Sequence, residues 1–124
     1  VKYDKLKQYY GIHDRKNKII ILDLRKLKSK RALISGFCHE LAHAHCTKYG
    51  KHKRLHTGYL FRLATLKAAK ETLKIEKKVD LIGEKICATL WPEIKYTPSY
   101  CGRHYMAYVK LIYRRMLVWK ASQD

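Results

Sequence analysis

The run His39-Glu40-Leu41-Ala42-His43 places two imidazoles four positions apart, with a carboxylate beside the first. On a helix this spacing sets both rings on one face, about 6 Å apart along the axis, where they can share one divalent metal ion. Zinc suits such a pair: catalytic zinc takes three protein ligands and keeps a further position for water. Glu40 then stands where a carboxylate can take a proton from that water and return it to a leaving amine, the two proton transfers of peptide-bond hydrolysis. The spacing predicts a zinc centre with His39 and His43 as ligands and Glu40 as general base, acting on a protein or peptide substrate.

The motif leaves the third ligand open. His56 follows a Gly-containing loop at the start of the next predicted helix, and a helix start fixes a ligand better than the loop position of His52. Glu71, Glu76, Asp80 and Glu84 are the carboxylate alternatives, should a later helix pack against the first. Tyr100, His104 and Tyr105 are candidate donors to a developing oxyanion. A different chemistry competes for His43-Ala44-His45, because a His-apolar-His pair on one strand face can hold a divalent ion for tyrosine-mediated nicking of single-stranded DNA. The surrounding pattern is helical, which turns the two rings about 200 degrees apart and disfavours that reading.

Around these residues the chain resembles the SprT-like family of short zinc metallopeptidases. The resemblance rests on HELAH at 39–43, His56, Gly58 just after it, and Phe61 on the following helix. It implies a minimal zincin fold in which His39, His43 and His56 are the ligands and Glu40 is the general base. It also implies proteolysis near DNA, including digestion of proteins crosslinked to it. Thr57 separates His56 from Gly58 where the family often has the glycine immediately after the histidine, and the four cysteines form no CxxC pair of the kind that builds a zinc ribbon. A related minimal zincin that uses glutamate as third ligand carries the same motif. Zincin folds further imply an edge strand that pairs with an extended substrate.

The elements that must position this chemistry follow from periodicity. Lys2 to Tyr10 is expected as a short basic helix and Gly11 to Lys18 as a polar turn. Ile19 to Leu24 has strand composition, and Ser29 is a candidate cap for a helix that carries the motif through His45. That helix should bury one face in the core and line something polar with another. Cys46 to Thr57 reads as a loop, and Tyr59 to Leu73 as a second helix. Glu76 to Leu90 is helical too, as a continuation or after a break near Lys74, and Pro92 ends it. Tyr105 to Trp119 predicts a last helix with Lys110, Arg114, Arg115 and Lys120 on its polar side. The expected fold is α+β: a single zincin-like domain over residues 1–124, with a small sheet and three or four helices.

A chain of 124 residues has room for one such core and little for a separate binding domain. Its 28 Lys plus Arg against 10 Asp plus Glu give a formal charge of +18, far beyond what solubility asks. Such a field attracts phosphates, so DNA or RNA is the expected polyanionic partner. Lys48, Lys51, Lys53, Arg54, Arg62, Lys67 and Lys70 form one basic series, and Lys95, Arg103, Lys110, Arg114, Arg115 and Lys120 a second, with Tyr96, Tyr100 and Tyr113 as rings that can stack on bases. No transmembrane-length apolar run or signal-peptide pattern is present, which leads to the expectation of an intracellular protein with free or metal-bound thiols. The functional expectation is zinc-dependent peptide-bond hydrolysis, directed at nucleic-acid-associated proteins. The competing class is a catalytically inactive, zinc-containing nucleic-acid-binding protein.

Overall fold

The computed structural model describes residues 1–6, 9–14, 16–48, 58–98 and 104–123. Among them the chain forms strands β1 (Lys2–Tyr3), β2 (Gly11–Asp14) and β3 (Ile19–Leu22), then helices α1 (Lys30–Lys48), α2 (Gly58–Leu63), α3 (Leu66–Leu90) and α4 (Tyr105–Ser122). The architecture is the expected α+β domain. The mixed sheet has order β1-β3-β2, with β1 parallel and β2 antiparallel to β3. Helix α1 lies between the sheet and α3, and α4 packs against α3 and α2.

Two expectations for the N-terminal segment are corrected. Lys2 and Tyr3 form a strand, not a helix, because their backbone pairs with Ile21 and Leu22. Gly11 to Asp14 forms β2, not a turn; the turn itself is confined to the residues just before Ile19. There the amide and side chain of Asn17 both bond the Asp14 carboxylate, and Lys18 takes a left-handed conformation at φ 55°. Strand β3 stops at Leu22 because Asp23 turns its buried carboxylate back on the chain, accepting the amides of Leu6 and Arg25 and the Arg25 guanidinium.

The Ser29 hydroxyl caps α1 by accepting the Ala32 amide at 3.0 Å. The helix then runs beyond His45 to Lys48, past the expected start of the loop, and the rest of that loop lies outside the described residues. The second helix is shorter than expected. Ala64, at φ 48°, ends α2, and the Thr65 hydroxyl caps α3 by accepting the Ala68 amide. From there α3 continues unbroken through Lys74 to Leu90. Its apolar residues meet α4 in the main core, where Leu73, Val79, Val109 and Met116 are at most 2% exposed. Each such side chain contributes about 1.5–3 kcal/mol on burial. A smaller cluster of Ile34, Cys38, Cys87 and Tyr96 closes the other end of the α1–α3 contact.

Candidate metal centre

Helix α1 carries two kinds of buried surface. Ile34, Cys38 and Ala42, spaced by four, face the apolar core, while Ser35, His39 and Glu40 are buried as polar groups beside them. The structure brings His39, Glu40 and His43 together, with ligand atoms within 4.8 Å of one another. The imidazole rings stand edge to face with centroids 4.9 Å apart. His43-Ala44-His45 lies wholly within α1, with His43 partly buried and His45 exposed, so the strand geometry needed for the single-stranded DNA nicking reading is absent.

The group that meets these rings comes from α3. One Glu76 oxygen lies 2.9 Å from Nε2 of His39, and the other 3.5 Å from Nε2 of His43. Ligands around tetrahedral zinc, each at 2.0–2.2 Å, are about 3.4 Å apart; the two Glu76 contacts bracket that spacing, and two imidazoles with a carboxylate have the donor chemistry zinc takes. Behind His39, Nδ1 donates to Oδ1 of Asp80 at 2.8 Å, which leaves Nε2 as the ligating nitrogen. Glu71 and Glu84, the other carboxylate candidates, are exposed, Glu71 on the opposite face of α3 and Glu84 one turn beyond Asp80. His56 and His52 lie outside the described residues, as does Tyr100. Tyr105 is 44% exposed at the start of α4, and the side chain of His104 makes no capping bond there.

A sequence signal for Glu76 and Asp80 existed. Ala69, Leu73, Glu76, Asp80, Gly83 and Cys87 follow one another at spacings of four and three, so a single stripe of α3 runs apolar, acidic, then apolar again. Carboxylates in the middle of a core-facing stripe need partners, and the imidazoles of α1 supply them.

The surroundings set the charges. Burial favours the neutral form of His39, but its bonds to Asp80 and Glu76 and the charge of Glu40 outweigh this and hold the ring well above the usual histidine range. His43 is raised in the same way, chiefly by Glu76 working against burial. Burial likewise opposes ionisation of Glu76, yet the two histidines keep its carboxyl below the usual range. Glu40, 5% exposed, is pushed up by burial, with partial relief from His43 and His39. Strand β2 fits closely over it: a Cβ on Gly11 would lie 3.3 Å from Cγ of Glu40 and 2.9 Å from a Leu22 methyl. The side chains of His43 and Glu76 keep a partial opening to solvent at 17% exposure each, whereas that of His39 is 5% exposed.

Sequence reasoning missed Tyr10, whose ring stands edge to face with His39 at 6.3 Å, and whose hydroxyl is raised well above the usual tyrosine range by burial and by Glu40. It also set Tyr96 among the base-stacking rings, whereas that side chain is buried and donates to Asp80. No protein-family model, curated protein or solved structure matches the chain.

Proposed function

We propose that the protein is a zinc-dependent peptidase with His39, His43 and Glu76 as the metal-holding residues and Glu40 as the general base. The observation that carries this reading is the Glu76 carboxylate spanning both Nε2 atoms of the HExxH helix. A glutamate in that role departs from the histidine implied by the SprT-like resemblance and agrees with the glutamate-ligand form of minimal zincin. Bound zinc would supply Lewis acidity, polarising a carbonyl and acidifying water. The chain's own residues do the rest. Asp80 orients the His39 ring. Glu40, its carboxyl raised by burial, accepts the attacking water's proton on a carboxylate oxygen and delivers it to the amide nitrogen as the bond breaks. The exposed edge formed by His43 and Glu76 is where an extended peptide reaches the centre.

The test is zinc content together with cleavage of unfolded basic proteins. One zinc per chain and cleavage that Glu40→Gln abolishes while zinc is retained are the expected results. Loss of neither activity nor zinc in Glu40→Gln, or no cleavage across a broad protein and peptide panel, refutes the peptidase reading.

A second reading is nucleic-acid binding, favoured by one observation. Lys67, Lys70, Lys74, Lys78 and Lys85 are exposed along the outer side of α3, with only Glu71 among them, while Lys77 turns toward α4 with its ammonium over the Tyr105 ring. This surface can hold phosphates with the metal centre intact or catalytically silent, and in a working peptidase it would gather substrates associated with nucleic acid.

A further inference from the structure

Oδ1 of Asp80, which accepts the His39 Nδ1 proton, accepts a second hydrogen bond from the Tyr96 hydroxyl at 2.5 Å. Tyr96 belongs to neither metal-site helix. It sits in residues 91–97, the segment that leaves α3 and folds back across the α1–α3 contact. This segment is fastened at several points. Nε of Arg31 donates to the Lys95 carbonyl at 2.7 Å, and the Thr97 amide donates to the Ser35 hydroxyl at 3.0 Å. The Cys87 thiol donates to the Ile94 carbonyl, and Trp91 packs edge to face on Phe37. Both α1 and α3 therefore hold the strap.

The niche for the hydroxyl is cut to size. Gly83 lies one turn after Asp80, and a Cβ there would fall 2.8 Å from the Tyr96 oxygen and 3.3 Å from the Cys38 carbonyl. Any side chain at 83 drives the hydroxyl off Asp80. Rotation of Asp80 about its side-chain torsions would carry the His39 ring with it. The bond from Tyr96, a ring that is 8% exposed and anchored in a fastened strap, restrains that rotation.

We propose that Tyr96 is a positioning residue for His39: the strap fixes Tyr96, Tyr96 fixes Asp80, and Asp80 fixes the imidazole that presents Nε2 to the metal. The proposal rests on the zinc reading above, and its consequence is that metal affinity depends on a loop residue that touches no ligand. Outer partners of metal ligands are worth about 10–100-fold in affinity, and Tyr96, one bond further out, belongs near the lower end.

The test uses the full chain as wild type, Tyr96→Phe and Gly83→Ala, with circular dichroism as the control for folding. Zinc affinity is measured against a competing chelator, the cobalt(II) protein gives its visible ligand-field spectrum, and the metal-free protein gives the His39 Nδ1–H resonance. Expected is about a 10-fold rise in zinc Kd for Tyr96→Phe, a changed cobalt spectrum, and a shifted resonance, with Gly83→Ala moving all three in the same direction. Wild-type values for all three in both variants overturn the proposal. A weakened zinc site with an unmoved resonance does so too, because it assigns Tyr96 to packing alone. If the wild type binds no zinc while the resonance still moves, the metal reading fails and the positioning role stands.

Discussion

At the scale of single residues the centre separates two carboxylates that share one helix pair. Glu40 is buried against β2 and raised, which suits a group that must take up a proton. Glu76 is held ionised by two imidazoles and offers an oxygen to each, which suits a ligand. The two glutamates should therefore fail differently. Glu76→Gln keeps the side-chain volume and removes the anionic donor, so its zinc Kd should rise by more than the roughly 100-fold upper range of outer-partner effects. Glu40→Gln should leave zinc affinity close to wild type while abolishing turnover. Chelator competition on the two variants checks this, and equal zinc affinity in both would remove Glu76 from the ligand set.

Elements decide whether those residues meet. The α1 helix was legible because its Ser29 cap and its HExxH spacing both demand a helix, and the structure supplies one. The α2–α3 break was not, because the residue in the left-handed conformation is Ala64, where a glycine would have announced the turn. Strands β1 and β2 are two and four residues long, too short to show alternation, and exist through pairing with β3. The carboxylate alternatives to His56 stayed open for another reason: choosing among Glu71, Glu76, Asp80 and Glu84 requires the register of one continuous α3, and the sequence leaves a break near Lys74 as possible as a continuation. Asp23 controls the passage from sheet to α1. Its carboxyl is held below the usual aspartate range, first by the Arg25 side chain and then by the Leu6 amide. A depressed carboxyl contributes stability that is present above its ordinary value of 3.8 and lost as pH falls below it. Asp23→Asn should accordingly lower the urea midpoint at neutral pH, and the gap from wild type should narrow steadily as pH falls from about 4 to about 2. A gap that stays constant across that range would show that the ionised form contributes nothing.

For the whole molecule the decisive quantity is where +18 of charge resides. No helix among the described residues is long and apolar enough to cross a membrane, and the acids on the inner side of α3 are occupied by histidines. The outer side of the same helix carries five lysines over residues 67–85, a run of about 27 Å at 1.5 Å per residue. Glu71, paired with Lys74 at 3.3 Å, offsets only part of that charge. If this face clasps duplex DNA through phosphates, the logarithm of affinity falls linearly with the logarithm of salt, with a slope near −0.9 for each phosphate neutralised. Fluorescence anisotropy over a range of salt concentrations should then give a steep negative slope for wild type. Reversing Lys70, Lys74 and Lys78 to glutamate should make that slope shallower by about three, without changing zinc content, because these side chains point away from the centre. If the triple variant keeps the wild-type slope, the attraction belongs to other basic residues and α3's outer side is only solvated; if affinity is indifferent to salt, phosphate contacts do not drive binding at all.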